Sequence, residues 1–228
     1  MKVAIDGPAG SGKSTVAHAI ADRCGLTLLD TGAMYRSVAL ACVERGLDLE
    51  DRDAVAEVAR AVAITFGKDE RGQTVQLDGK DVTSAIRTPE IDKAVSPVSA
   101  NPLVREAMVA QQRAIGEGID VVAEGRDIGT VVFPDAEVKV FLTADPAARA
   151  LRRAVQRDGG DAAKDADATA DESAVAEILA DLIRRDEYDS NREASPLRPA
   201  EDAVHIDSSD KTVDEVVDLI VKLMEEAR

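Results

Sequence analysis

The chain has 228 residues, a net charge of −16, only two Cys, three Phe and two Tyr, and no Trp. That length suits one α/β domain with room for a small insert and a substantial core. The negative field repels nucleic-acid backbones and anionic membranes, the scarcity of aromatics removes stacking platforms for single strands, and no apolar run nears the ~18 residues of a bilayer span. The start of the chain enters its first strand without a basic-then-apolar leader, so a cytoplasmic location is expected. Cys24 and Cys42 have no C-x-x-C spacing and are expected to be small buried residues without redox or metal roles.

In chain order, residues 3–5 form a short apolar run that predicts a strand. Gly7-Pro8-Ala9-Gly10-Ser11-Gly12-Lys13-Ser14 follows and reads G-x-x-x-x-G-K-[ST], the phosphate-binding loop. A helix is predicted over 13–23, which completes the strand–loop–helix context that the motif requires. Backbone amides along Gly7–Thr15 would curl around a phosphate at a helix start, where the partial positive charge lies. Lys13 would reach the β- and γ-phosphates of a bound triphosphate, and Ser14 would hold Mg²⁺.

Strands are predicted at 27–29, 121–123, 138–142 and 204–206, and helices at 33–44, 53–62, 104–117, 146–157, 172–192 and 212–226. The alternation argues for a doubly wound parallel sheet with its ligand beyond the carboxyl ends of the strands. Apolar runs at 63–66 and 74–77, followed by the turn signal Asp78-Gly79, predict a small antiparallel insert over about 63–85. Gly159 to Asp171 is rich in Ala and Asp. Asp165, Asp167 and Thr169 resemble the opening of a calcium loop, but Ala170 and Ala176 stand where Gly and the bidentate Glu are needed, so a solvated loop is expected.

A phosphate loop alone implies only a bound triphosphate. No Asn-Lys-x-Asp is present to read guanine, and no Ser–His or Cys–His pair suggests a covalent nucleophile. Four other features carry chemistry. Asp30 to Arg36 follows the second strand; Asp30 would lie near the loop, Thr31 would cap the next helix, and Arg36 would sit one and a half turns into it. Glu124-Gly125-Arg126-Asp127 follows the third strand, where the sheet opens. Arg149, Arg153 and Arg157 lie four apart and would share one helix face, as a lid would require. Arginine suits that task because its fork matches phosphate oxygens. Arg185, Asp189 and Arg192 also share a face. Phosphoryl transfer needs positioning, Mg²⁺ and positive charge, and these features supply them.

These residues resemble the bacterial cytidylate kinases, of the nucleoside monophosphate kinase superfamily. The resemblance rests on Ile5-Asp6-Gly7-Pro8, on Leu29 to Arg36, on Ile86-Arg87-Thr88-Pro89-Glu90, on Val104-Arg105-Glu106, on the run Glu124 to Pro134, and on Arg185-Asp186 and Asn191-Arg192. It implies an α/β P-loop NTPase fold, a five-stranded parallel sheet flanked by helices with a small antiparallel insert and a helical lid. The expected division of this single unit is core at 1–62, a monophosphate-binding region at 63–100, core at 101–145, lid at 146–192 and core at 193–228. The resemblance implies phosphorylation of CMP or dCMP by ATP with Mg²⁺. By position, Asp30, Thr31, Arg36, Ser96, Arg105, Arg126, Asp127, Arg185, Asp189 and Arg192 are expected around the acceptor, Ser96 and Asp127 reading the cytosine. Lys13, Arg126, Arg149, Arg153 and Arg185 are expected around the transferred phosphoryl. Thr31 stands where many members have Ser, Glu124 where some have Asp, and the Ala/Asp-rich segment is longer than in compact members. A monomer without nucleic-acid or membrane partners is expected. The alternatives are a kinase of this architecture for UMP, AMP or shikimate, and a regulatory nucleotide-binding protein without turnover.

Overall fold

The computed structural model describes residues 1–70, 72–157 and 171–228. Its elements in chain order are β1 (Lys2–Asp6), α1 (Lys13–Cys24), β2 (Thr27–Asp30), α2 (Thr31–Glu44), α3 (Arg52–Ala61), β3 (Ile64–Asp69), β4 (Gly72–Leu77), β5 (Lys80–Asp81), α4 (Pro89–Ala100), α5 (Pro102–Ile115), β6 (Val121–Gly125), β7 (Val138–Thr143), α6 (Pro146–Arg157), α7 (Glu172–Asn191), β8 (Val204–Asp207) and α8 (Val213–Glu226). They fall into two compact units, one of Met1–Leu29 with Gly118–Arg228, the other of Asp30–Glu117.

The first unit is built on a five-stranded parallel sheet of order β2-β6-β1-β7-β8. β1 and β6 lie inside the sheet and are buried along nearly their whole length, which is why both read as unbroken apolar runs. β7 alternates instead, with Val138, Val140 and Leu142 buried and the residues between them half-buried. The core packs these strands against α1 and α8 through Val16, Ile20, Val217 and Ile220, each buried side chain of this kind worth about 1.5–3 kcal/mol. β6 separates β1 from β2, so the chain reverses direction across the sheet at β1, and the loop that follows β1 opens at the carboxyl edge. Gly7 starts that loop because nothing larger fits: a Cβ there would lie 2.0 Å from the carbonyl oxygen of Leu142.

The second unit pairs α2 with α4 and α3 with α5 and carries the predicted insert as the antiparallel sheet β3-β4-β5. α4 was not predicted. Its apolar face, Ile91, Ala94, Val95 and Val98, has helical spacing, but Pro97 lies inside it and masks the pattern. Thr88 caps it and Pro89 opens it. α5 begins earlier than the predicted 104, because Asn101 caps it and Pro102 takes its first position. The candidate calcium loop and nearly all of the Ala/Asp-rich segment lie outside the described residues. Among those described, no helix is long and apolar enough to cross a membrane, and no cluster of three potential metal ligands occurs.

Candidate functional site: the phosphate loop and its arginines

β1 delivers the chain to the loop, positive φ angles at Gly10 and Gly12 turn it, and α1 begins at Lys13. Lys13 Nζ folds back over the loop, donating to the carbonyl oxygen of Pro8 at 2.6 Å and lying 3.4 Å from Ser11 Oγ, which itself donates to Pro8 at 3.1 Å. Burial, then the like charge of Arg126, lowers the Lys13 pKa to about 7 against the pull of Glu124 and Asp6; Arg185 lowers it further. Ser14 and Thr15 are exposed at the head of α1, where the Ser14 hydroxyl is a hard oxygen donor.

Arg126, just after β6, meets α7. Its Nε donates to Asp189 Oδ2 at 2.9 Å, and Arg192 Nη1 stands 3.9 Å from the other oxygen. Asp189 is buried. Burial opposes its charge, yet Arg126, Arg185 and Arg192 hold its pKa below the usual carboxylate range. One acid thus organises a set of arginines beside the loop lysine, and the Coulombic reach of Arg126 and Arg185 to Lys13 puts them in one electrostatic site.

α6 forms over the predicted residues, and along it Arg149 is buried, Arg153 half-buried and Arg157 exposed, so the three differ in their access to solvent. The twist of the helix carries the stripe from the packed side to solvent. Arg149 Nη1 donates to the carbonyl oxygen of Ala9 at 2.8 Å and to Asp186 Oδ2 at 2.5 Å, while Asp186 Oδ1 accepts from the Ala9 N–H at 3.2 Å. Ala9 is therefore gripped through both backbone polar groups, and its methyl joins a small apolar cluster with Ala150, Ala154, Ile178 and Leu182. Asp186→Ala is expected to lower Tm by about 2–8 °C, corresponding to ~1–2 kcal/mol for the lost charged hydrogen bonds. Thermal unfolding checks this; an unchanged Tm would show the grip to be energetically idle.

Of the remaining predicted residues, Asp30, Thr31, Arg36, Ser96 and Arg105 lie in the second unit and Asp127 in the first. The cap of α2 is Asp30, whose Oδ1 accepts from Ala33 N at 2.9 Å; this corrects the expectation that Thr31 caps it. Thr31 is itself the first helical residue and is buried. Arg36 donates to the carbonyl oxygen of Ile86 at 2.9 Å and pairs with Asp92. Arg105, also buried, donates to the Ser99 carbonyl at 3.0 Å and stacks 5.1 Å from the centre of the Tyr35 ring. Ser96 is half-buried on α4. Asp127 is buried at the entry to a wide helical turn, Ile128–Val132. Cys42 is buried, and Cys24 is half-buried rather than fully so.

The sequence alone assigns no role to Asp6, Asp92 or Asp186. Asp92 and Asp186 meet their arginines 56 and 37 residues away, a pairing that no local pattern encodes. Asp6 had a usable signal, an acid in an apolar strand one residue before the loop glycine.

A glycine-rich loop between β1 and α1 of a parallel sheet, with a buried lysine and arginines gathered on it, defines a P-loop nucleotide-binding fold of the phosphotransferase type. A solved structure of an uncharacterized protein from Eubacterium ventriosum ATCC 27560 has the same overall fold, with TM-score 0.50 and 14% identity over 99% of this chain and 98% of that one. The cytidylate kinase family model matches residues 3–226, and the chain belongs to that family. It is 47% identical to a cytidylate kinase from Rhodococcus opacus (strain B4) over 98% of this chain and 94% of that protein. It is 48% identical to part of a bifunctional pantoate ligase/cytidylate kinase from Prochlorococcus marinus (strain MIT 9313), covering 97% of this chain but spanning 42% of that protein's length.

Proposed function

We propose that the chain transfers the γ-phosphoryl of ATP to CMP or dCMP, forming CDP or dCDP and ADP in pyrimidine nucleotide metabolism. The observation that carries this reading is the meeting of the loop lysine with the Arg126–Asp189–Arg185 cluster, in a chain of the cytidylate kinase family. A phosphate loop alone needs no such second set of cations; a donor and an acceptor phosphate together do.

An acceptor phosphate oxygen attacks the γ-phosphorus in line, and the bond to the bridging oxygen of ADP breaks. Lys13 leaves the Pro8 and Ser11 oxygens for the donor phosphates. Arg126, Arg149, Arg153 and Arg185 stabilise charge on the transferring group. Ser14 would hold Mg²⁺ together with the ATP phosphates, and the ion would supply neutralising positive charge to the transferring group. By resemblance to the family, Asp30, Thr31, Arg36, Ser96, Arg105, Arg126, Asp127, Arg185, Asp189 and Arg192 are read as the acceptor contacts, Ser96 and Asp127 as those that read its base. Residues 63–100 serve as the monophosphate-binding region and 146–192 as the lid, between core segments 1–62, 101–145 and 193–228. Exclusion of water by α6 and α7 protects the phosphoryl group from hydrolysis. The protein acts as a cytoplasmic monomer; its charge of −16 opposes nucleic-acid and anionic-membrane partners.

A steady-state panel of CMP, dCMP, UMP, AMP and shikimate with ATP and Mg²⁺ tests the reading. CMP and dCMP are expected to give the highest kcat/KM. A better acceptor among the other three overturns the assignment, and absence of CDP formation favours a regulator without turnover.

A further inference from the structure

Asp6 ends β1, one residue before the phosphate loop. Its carboxylate is buried, and its two oxygens accept separately from the backbone N–H groups of Ile128 and Gly129, each at 2.8 Å. Those are the opening donors of the wide turn Ile128–Val132, directly after Arg126 and Asp127. A helical turn ordinarily takes its cap from the residue just before it. Here that residue is Asp127, whose side chain makes no cap bond to the turn; the cap comes from a different strand. A Cβ at Gly129 would press on Lys139 Cδ at 3.3 Å and would meet Asp6 Oδ2 at an ordinary contact distance of 3.5 Å. The register of β1 on β6 places Asp6 opposite Gly125, so the chain leaving each strand is tied to the other at the sheet's carboxyl edge.

We propose that Asp6 is a positioning residue that locks the Arg126–Asp127 segment to the start of the phosphate loop, setting acceptor geometry from the donor side. This rests on the reading of Arg126 and Asp127 as acceptor contacts. Two oxygens are needed for two N–H donors. An amide at this position offers one oxygen and turns its own N–H₂ toward the second donor, and a protonated acid does the same with its hydroxyl. Burial, and beyond it the Asp127 charge, push the Asp6 pKa up to about 6 against the two backbone donors and Lys13. The charged groups around it are Lys13 on α1, Asp127 in the turn, and Lys139 on β7. The acid therefore holds the segment fully well above pH 6 and loosens it as pH falls through 6.

The test compares Asp6→Asn with the wild type in steady-state KM for CMP and for ATP from pH 5 to 8, with calorimetric CMP binding as a readout independent of turnover. At pH 7.5 the variant is expected to raise the CMP KM and Kd about tenfold, the cost of one charged hydrogen bond, with the ATP KM within about twofold. The variant-to-wild-type ratio, in which titration of the CMP phosphate cancels, is expected to fall toward one below pH 6. An unchanged CMP KM, equal rises for both substrates, or a ratio that does not depend on pH overturns the proposal. Should Asp6→Asn fail to fold, Asp6→Glu, which keeps the charge and both acceptor oxygens but displaces them by one methylene, is expected to give the same CMP-over-ATP split, and its absence is equally decisive. A wild type that neither binds nor phosphorylates CMP would sink the functional reading itself.

Discussion

Lys13→Ala is expected to lower kcat for CMP phosphorylation by about 10³-fold while the protein stays folded. The reason is the state of the ammonium before substrate arrives. It is buried, held by the Pro8 carbonyl, and its pKa has fallen to about 7 through burial and the Arg126 charge. Donor phosphates bring the negative charge that the site lacks, so binding raises that pKa again. Above pH 7 donor binding must take up a proton, and affinity falls as pH rises. Calorimetry in two buffers of different ionisation enthalpy reads the uptake directly, and Lys13→Ala should abolish it. The effect on stability has the opposite sign to an ordinary salt bridge. The folded pKa lies below that of the unfolded chain, so the buried ammonium costs stability below pH 7, and that cost is relieved between pH 7 and about 10.5. The wild type should gain on Lys13→Ala across that window in thermal unfolding. Near-normal turnover in the variant would remove the loop lysine from the reaction.

Arg126→Ala is expected to lower kcat/KM for CMP by about 10²–10³-fold and to lower Tm by several degrees. Both effects follow from Asp189. With Arg126 gone, the buried carboxylate keeps Arg192 at 3.9 Å and Arg185, but loses its 2.9 Å hydrogen bond. Asp189→Asn separates the two contributions. It keeps the side-chain shape, removes the charge that orders the arginines, and should weaken CMP binding while leaving the ATP KM close to wild type. If Arg126→Ala lowers Tm yet turns over normally, the cluster is structural and the second phosphate site must lie elsewhere.

Much of this site can be read along the chain because its parts are local. The phosphate loop is eight consecutive residues whose glycine spacing answers a backbone requirement, and Gly7 is the clearest case: the approach of the Leu142 carbonyl leaves no room for a side chain. The five parallel strands showed themselves as apolar runs because both faces of the central ones are covered. α4 stayed hidden because a proline inside a helix breaks the usual signal while tertiary packing of Ile91, Val95 and Val98 still pays for the turn. Spacing by four suggested that Arg149, Arg153 and Arg157 act together, but burial depends on what the helix packs against: Arg149 is buried and reaches the loop, Arg153 is half-buried and Arg157 exposed.

The amino-acid sequence by itself determined the phosphate loop, the parallel sheet, the antiparallel insert, the family and the roster of arginines. These depend on near-neighbour chemistry and on periodicity, which a chain carries in its order. Tertiary structure alone decided which acids hold those arginines and the loop: Asp189 under Arg126, Asp186 on Ala9 and Arg149, Asp92 on Arg36, and Asp6 on the turn after Asp127. Each joins residues distant in sequence, and the partner of a buried charge is set by which elements the folded core brings within hydrogen-bonding reach.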